Sequence, residues 1–240
     1  MNIGLENFVL ITFVLAVGAA LQGSIGYGMG MLAAPVLVLV EPRFIPGPFL
    51  LAALVLVVLM VIRERQAVDL FGLRWVMLGS VPATLLGAAL LSSLAQPVIN
   101  IVFGVIILAA VVMSLGGVRF PQYRWVLICA GVLSGFMGVI GAIGGPPIAL
   151  VYQDSSIERL RATMSGYFIV GTLITLASLI PVGRFGTPEA NLALLQIPGI
   201  VIGYLVSLKL GRILKGGSVR YAILGISAIS GLVVILKQVF

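Results

Sequence analysis

The chain contains no histidine and a single cysteine, Cys129, and only 9% of its 240 residues are charged. Without histidine, and with one thiol, a His/Cys metal site cannot be assembled. Ser-His and Cys-His nucleophile pairs are excluded on the same ground. One cysteine cannot form an internal disulfide, and inside its apolar run the expected state is a buried, inert thiol. No Asp, Glu, Lys or Arg falls within residues 7–40, 44–62, 75–118, 125–153, 162–183, 190–208 or 221–236. A carboxylate relay within the membrane, the usual device for proton coupling, is therefore missing unless Asp154 or Glu158 reaches in from an edge. A serine nucleophile would need Lys209 or another edge residue as its base. The chain reads as a non-enzyme that needs no cofactor and no metal.

What is present in excess is apolar surface: 61% hydrophobic residues and a mean hydropathy of +1.25. A helix of about 20 apolar residues crosses a hydrocarbon layer of roughly 30 Å. The run 75–118 must then hold two spans, turning near Ser92-Ser93 and Gln96-Pro97. Loops are short, so 1–240 reads as one integral membrane domain in a lipid bilayer. The net charge of +7 is spread over loops beside spans, which makes it a topology signal and not a nucleic-acid surface. Trp75, Trp125, Tyr123 and Tyr221 sit at run edges as interfacial aromatics. Residues 8–20 imitate the core of a signal peptide, but Met1 to Glu6 supply no basic n-region.

Glycine breaks two of these runs in the same way. Gly23, Gly26 and Gly30 recur as Gly138, Gly141 and Gly145 at one offset of 115 residues, each set within an uncharged stretch. Backbone outside regular helix is tolerated in a membrane only where it is buried in protein or lines a cavity. Charge then decides how the breaks are used. If every run crossed, the 14 Lys and Arg residues would divide evenly between the two sides. If the two broken segments instead enter and leave on one face, eleven basic residues share a side: Arg63, Arg65, Arg74, Arg119, Arg124, Arg159, Arg161, Lys209, Arg212, Lys215 and Arg220. Arg43, Arg184 and Lys237 remain opposite. The positive-inside rule selects the second arrangement, with both termini outside.

Each half is then a glycine-broken re-entrant helical hairpin plus three transmembrane helices, repeat 1 over 1–118 and repeat 2 over 119–240. An odd number of crossings inverts the second copy. Pro82 and Gly87 recurring as Pro198 and Gly203 support the repeat. The expected fold is an all-α polytopic membrane protein of two inverted repeats, an architecture of secondary transporters.

Half-helices that begin inside a membrane present unpaired N–H groups and a positive dipole end, which is an anion site. Pro146 and Pro147 suit the first turn of such a helix. The matching half-helix of repeat 1 is expected from near Met31 to Val40, with Pro35 inside it. Gln22, Ser24, Tyr27, Ser134, Tyr152 and Gln153 are the polar side chains near the breaks. Their hydroxyls and amides suit the oxygens of an oxyanion. In the alternative reading Ser24 and Ser134 bond their own helices and the glycines only permit close packing. Arg159 and Arg161, just before the next span, either gather anions at the inner mouth or anchor the span.

The segments Gly23-x-x-Gly26-x-Gly28-x-Gly30 with Pro35, and Gly138-x-x-Gly141-x-x-Gly144-Gly145-Pro146-Pro147, resemble the sulfite exporter TauE/SafE family, also known as toluenesulfonate uptake permeases. Arg161-Ala-Thr163 is similar to a further family feature. Tyr27 and Met29 interrupt the commoner run of three adjacent glycines. The resemblance implies transport of a small sulfur-containing anion, sulfite or an organosulfonate such as sulfoacetate, across a bacterial inner membrane. The substrate-binding residues expected are Gln22, Gly23, Ser24, Gly26, Tyr27, Gly28, Gly30, Ser134, Gly138, Gly141, Gly144, Gly145, Pro146, Pro147 and Arg161. An anion channel of the same architecture and a carrier of non-sulfur organic anions are the alternatives, and a homodimer is compatible with either.

Overall fold

A computed structural model describes residues 4–115, 120–210 and 217–239. The described residues are helical and contain no strand. Eleven α-helices appear among them: α1 Leu5–Ile25, α2 Met29–Val40, α3 Gly47–Glu64, α4 Leu70–Ser93, α5 Gln96–Leu115, α6 Arg124–Gly141, α7 Gly145–Tyr152, α8 Ile157–Leu179, α9 Thr187–Leu194, α10 Ile197–Leu210 and α11 Gly217–Val239. Six helices are long and apolar enough to cross a membrane, and α9 with α10 makes a bent pair at 44°. The protein is a multi-pass membrane protein. The turn between α4 and α5 falls at Leu94–Ala95, between the residue pairs that signalled it.

Both broken segments reverse direction. Gly18 of α1 faces Met29 at the start of α2, so α2 runs back along α1. Gly144 lies against Gly138 and the Ser134 carbonyl of α6, and Gln122 before α6 donates to the Val151 carbonyl near the end of α7 at 3.4 Å. The arms are unequal, which the sequence did not announce. At 1.5 Å per residue α1 is about 31 Å long and α6 about 27 Å, whereas α2 and α7 reach only about 18 and 12 Å. The outgoing arms are of crossing length and the returning arms are short. The first returning helix begins at Met29, two residues before its expected start, because Gly28 already supplies the turn.

The hairpins pack against helices of the other half. α1 runs parallel to α10, with Gly199 on Thr12, Gly203 on Ala16 and Gly23 on Ser207. α6 runs parallel to α4, with Gly131 on Val76 and Gly135 on Ser80. A Cβ at Gly131 or Gly203 would overlap a carbonyl oxygen of the facing helix. In lipid no hydrophobic force drives helices together, so this close approach of small residues supplies the packing. α3 packs on α8, and α5 on α11.

The α4–α6 seam also places Cys129. With Gly131 and Gly135 turned toward α4, the opposite face of α6 points outward, and Cys129 is exposed beside Trp125, Val132 and Leu133. The expectation of a buried thiol is therefore corrected: it lies on the apolar outer surface of the bundle. Trp125 and Tyr123 are exposed as interfacial residues would be. Trp75 is half-buried and, with Phe71, takes the guanidinium groups of Arg74 and Arg124. The side chain of Tyr221 lies outside the described residues.

One end of the bundle collects Arg63, Arg74, Arg124, Arg159 and Arg161, joined through Glu64, Trp75 and Asp69. Arg43 and Arg184 meet at the other end around one vestibule. Arg119, Arg212 and Lys215, and the side chains of Arg220 and Lys237, lie outside the described residues.

Candidate functional site

The first break is made by two glycines in the left-handed region, Gly26 at φ 105° and Gly28 at φ 119°. Gly26 closes α1 by donating its N–H to the Gln22 carbonyl at 2.7 Å. The Gln22 side chain then turns to α2, and its Oε1 accepts the Met29 N–H at 3.2 Å. One orphan donor of the α2 N-terminus is thus satisfied by α1. The next two, Gly30 and Met31, lie in the first turn, where no intrahelical acceptor exists.

The second break uses different chemistry. α6 closes with the Ala142 N–H on the Gly138 carbonyl at 2.9 Å and the Ile143 N–H on Met137 at 3.4 Å. The left-handed position is held by Ala142, at φ 55°, and not by glycine. Gly141, Gly144 and Gly145 have no left-handed φ and supply space. A Cβ at Gly144 would lie 2.8 Å from the Ser134 carbonyl, and one at Gly145 would lie 3.0 Å from the Tyr27 Cβ. The expectation that glycine frees the backbone at both breaks therefore holds at Gly26 and Gly28 only. Pro146 and Pro147 stand in the first turn of α7 as expected, where their missing N–H groups leave nothing unpaired.

The two breaks meet. Gly145 faces Tyr27, and Gly30 is so close to the Ala142 carbonyl that any side chain there would overlap it. Between them is a cavity of about 40 Å³ lined by Gln22, Gly28, Gly30, Gly144, Gly145 and Pro146, with Phe49, Leu50, Phe168 and Thr172 from α3 and α8. A second cavity of about 30 Å³, bounded by Gly138, Gly144, Tyr167 and Thr172, adjoins it, and a third of about 100 Å³ lies beyond Tyr27 and Gly28. The central space, as it stands, is close to the volume of one water, about 30 Å³. Its dipolar character is fixed by two converging helix N-termini, α2 and α7.

The remaining expected residues stand behind this wall. Ser24 donates its hydroxyl to the Ala20 carbonyl of its own helix at 2.7 Å, so its proton is committed. Ser134 is fully buried close to the Tyr167 hydroxyl, but among the described residues its Oγ has no partner in hydrogen-bond geometry. Gly23 and Gly26 give room to Ser207 and Arg161, and Gly141 to Phe103 and Ile106. Pro147 is buried beside Pro146. Tyr152 is at the far end of α7, donating to Asp69 Oδ2 at 2.9 Å, and Gln153 is exposed.

Arg161 has fixed partners. Its Nε and Nη2 grip the two carboxylate oxygens of Glu64 at 3.0 and 2.5 Å, and Nη1 donates to the Ser24 carbonyl at 3.0 Å. Arg63 also reaches Glu64, at 3.2 Å, and donates to the Gly23 carbonyl at 2.9 Å. Two guanidinium groups therefore cap the negative end of α1. Arg63 and Glu64, together with Phe168 and Thr172, were missed in the sequence. Their signals were present, as a charge pair closing a span and as an i, i+4 pair on α8, but neither named its partner.

Arg159 is exposed and pairs with Asp69 at 2.8 Å. Burial pushes the Asp69 carboxyl up, but hydrogen bonds from the Gly72 amide, Arg159 and Tyr152 outweigh it and hold the group below the ordinary aspartate range. This latch ties the ends of α7 and α8 to the start of α4.

The sequence profile of the sulfite exporter TauE/SafE family matches residues 10–234, nearly the whole chain, and the protein belongs to that family. Neither a curated protein nor a solved structure matches it significantly.

Proposed function

We propose that this member of the sulfite exporter TauE/SafE family is a secondary transporter of sulfur-containing anions, sulfite or an organosulfonate, in a bacterial inner membrane. The observation that carries this reading is the meeting of the two broken hairpins at one buried cavity. Amides of Gly30, Met31 and Gly145 at converging helix N-termini offer charge-assisted hydrogen bonds to an oxyanion, without a buried cation. The Thr172 hydroxyl on the cavity wall is a further donor for it.

The packing pattern supports two inverted repeats. Exchanging the halves exchanges α1 with α6 and α4 with α10, and the contact of α1 with α10 becomes that of α6 with α4. α3–α8 and α5–α11 map onto themselves. Transport then alternates between the two ends. The Arg63–Glu64–Arg161 cluster closes one end, the cytoplasmic one by its share of basic residues, while both termini face the periplasm.

Uptake into proteoliposomes of sulfite, sulfate, taurine, sulfoacetate and aryl sulfonates tests the substrate class. Saturable flux with counterflow is expected for at least one sulfur oxyanion. Fast unsaturable conductance would make the protein a channel, and no flux of any of them would overturn the reading. Topology is read by single-cysteine labelling in a Cys129→Ser background. Labelling of Gln66→Cys or Lys209→Cys from outside intact cells would reverse the assigned orientation.

A further inference from the structure

A large cavity lies outside the central one, at the Arg43 end. It measures about 370 Å³, some nine times the space between the breaks and within the range of organic ligand sites, about 300–1,000 Å³. Its wall is apolar on the side nearest the membrane interior, where Val38, Ile99, Phe103 and Ile140 line it. Ile140 is the residue before Gly141, and Phe103 packs on Gly141 itself. The floor of the vestibule is therefore the outer side of the second break.

The rim is polar, and its charges are unequally compensated. Arg43 is matched by Glu41, with Nε at 3.1 Å from Oε1 and a second nitrogen at 3.1 Å from Oε2. The Glu189 carboxylate turns back to accept the Gly186 N–H at the start of α9 at 2.9 Å, where the helix dipole suits it. Arg184 has neutral partners, the Gln96 Oε1 at 3.2 Å and the Leu91 carbonyl at 3.3 Å. Among the described residues no carboxylate forms an ion pair with it. Gln96 in turn donates to the Asn100 Oδ1 at 3.0 Å, which leaves the Asn100 amide nitrogen as a donor on the same wall.

We infer that this vestibule is an entry subsite for an organic anion, its oxyanion headgroup taken by Arg184 and Asn100 and a short apolar body laid on Val38, Ile99 and Phe103. A bare oxyanion gains nothing from those walls, whereas an apolar body is desolvated by them. A guanidinium held in place by two neutral oxygens suits sulfonate or carboxylate geometry. The inference rests on the transport reading for its purpose, and it deepens that reading by favouring organic anions over sulfite.

Titration calorimetry on the full-length protein in nanodiscs, with benzenesulfonate, benzoate and sulfite as probes, tests it. Wild type should bind one of the aryl anions at least about tenfold more tightly than sulfite, and the tighter of the two names the headgroup. Arg184→Gln should weaken that binding about tenfold, the loss of one charge-assisted contact, and Val38→Trp should fill the site and abolish it. Both should leave sulfite affinity within about twofold. Sulfite binding as tightly as the tighter of the two aryl anions would overturn the inference. So would unchanged aryl-anion binding in Arg184→Gln, a rim substitution that leaves the packed seams untouched. Aryl-anion binding with these sensitivities, but without flux in proteoliposomes, would leave the subsite standing and sink the transport reading instead.

Discussion

At the first break the chain turns through Gly26 and Gly28, and two arginines from α3 and α8 cap the carbonyls that the turn exposes. At the second break, Ala142 takes the left-handed position, two prolines open the returning helix, and among the described residues no charged side chain bonds the carbonyls of Met137 or Gly138. Break one is thus held from outside by charge, and break two is held by its own backbone. The residues that correspond to Arg63, Glu64 and Arg161 after one repeat offset are apolar or uncharged, near Ser178–Leu179 and Ile45–Pro46. Among the described residues, the buried Arg63–Glu64–Arg161 cluster therefore lies at one end, and the vestibule at the other is rimmed by the more exposed Arg43–Glu41 pair and by Arg184.

The largest expected effect separates the two kinds of glycine. Gly26→Val forces a β-branched residue to φ 105° and sets its Cβ 3.0 Å from the Arg161 Cα. Strain of about 1–3 kcal/mol, added to the overlap, should cut proteoliposome uptake by at least about a hundredfold at equal protein content. Gly138→Ala meets only the Gly144 Cα, at 3.9 Å, and should keep uptake within about twofold. Equal effects at the two sites would erase the distinction between a turn glycine and a packing glycine.

The buried cluster comes next. Arg161→Gln leaves Glu64 with Arg63 alone and uncaps Ser24, whose carbonyl loses a 3.0 Å hydrogen bond. The side chains of Arg161 and Glu64 are only 13% and 12% exposed, so a loss of about 1–3 kcal/mol is expected, at the low side of buried pairs because some solvent screens them. Thermal unfolding in nanodiscs measures it. Arg161→Lys should not restore the loss, since an ammonium cannot grip both carboxylate oxygens and the Ser24 carbonyl at once. Full recovery by lysine would show that charge alone closes this end.

A smaller effect belongs to the Asp69 latch. Because its carboxyl is held below the ordinary aspartate value of 3.8 in the folded protein, the latch contributes fully above that value. The contribution is lost as pH falls through the lower, folded value. Asp69→Asn should cost about 1 kcal/mol, given the exposure of Arg159. Its unfolding temperature should converge on that of wild type only in strong acid. A difference that vanished already at pH 6 would mean the latch is not ionic.

The smallest expected effect is a gain. Ala142→Gly relieves a left-handed alanine, worth about 1–2 kcal/mol, against the entropy glycine adds to the unfolded chain, about 0.4–1 kcal/mol. A net stabilisation of about 0.8 kcal/mol, the difference between the midpoints of the two ranges, should appear in thermal unfolding. Destabilisation would show that the Ala142 methyl, which packs beside the α1–α3 core, matters more than the backbone.

Sequence by itself determined the class of molecule, the positions of the breaks and the start of α7, because each rests on local physics. Apolar run length sets crossing helices, glycine interrupts them, and proline fits a first turn whatever surrounds it. It also marked the residues that would meet, since Gly30, Gly144 and Gly145 all line the central cavity. Only the tertiary structure decided what each residue does there. Ser24 and Ser134 have the same side chain near the two breaks, yet one hydroxyl is spent on its own helix and the other lies close to the Tyr167 hydroxyl of another helix. Cys129 faces outward because Gly131 and Gly135 commit the other side of α6 to α4. Arg161 finds its carboxylate 97 residues away, and no period or spacing within the chain encodes that distance. Partner choice between packed helices depends on which faces come together, which is a property of the whole bundle and not of any segment.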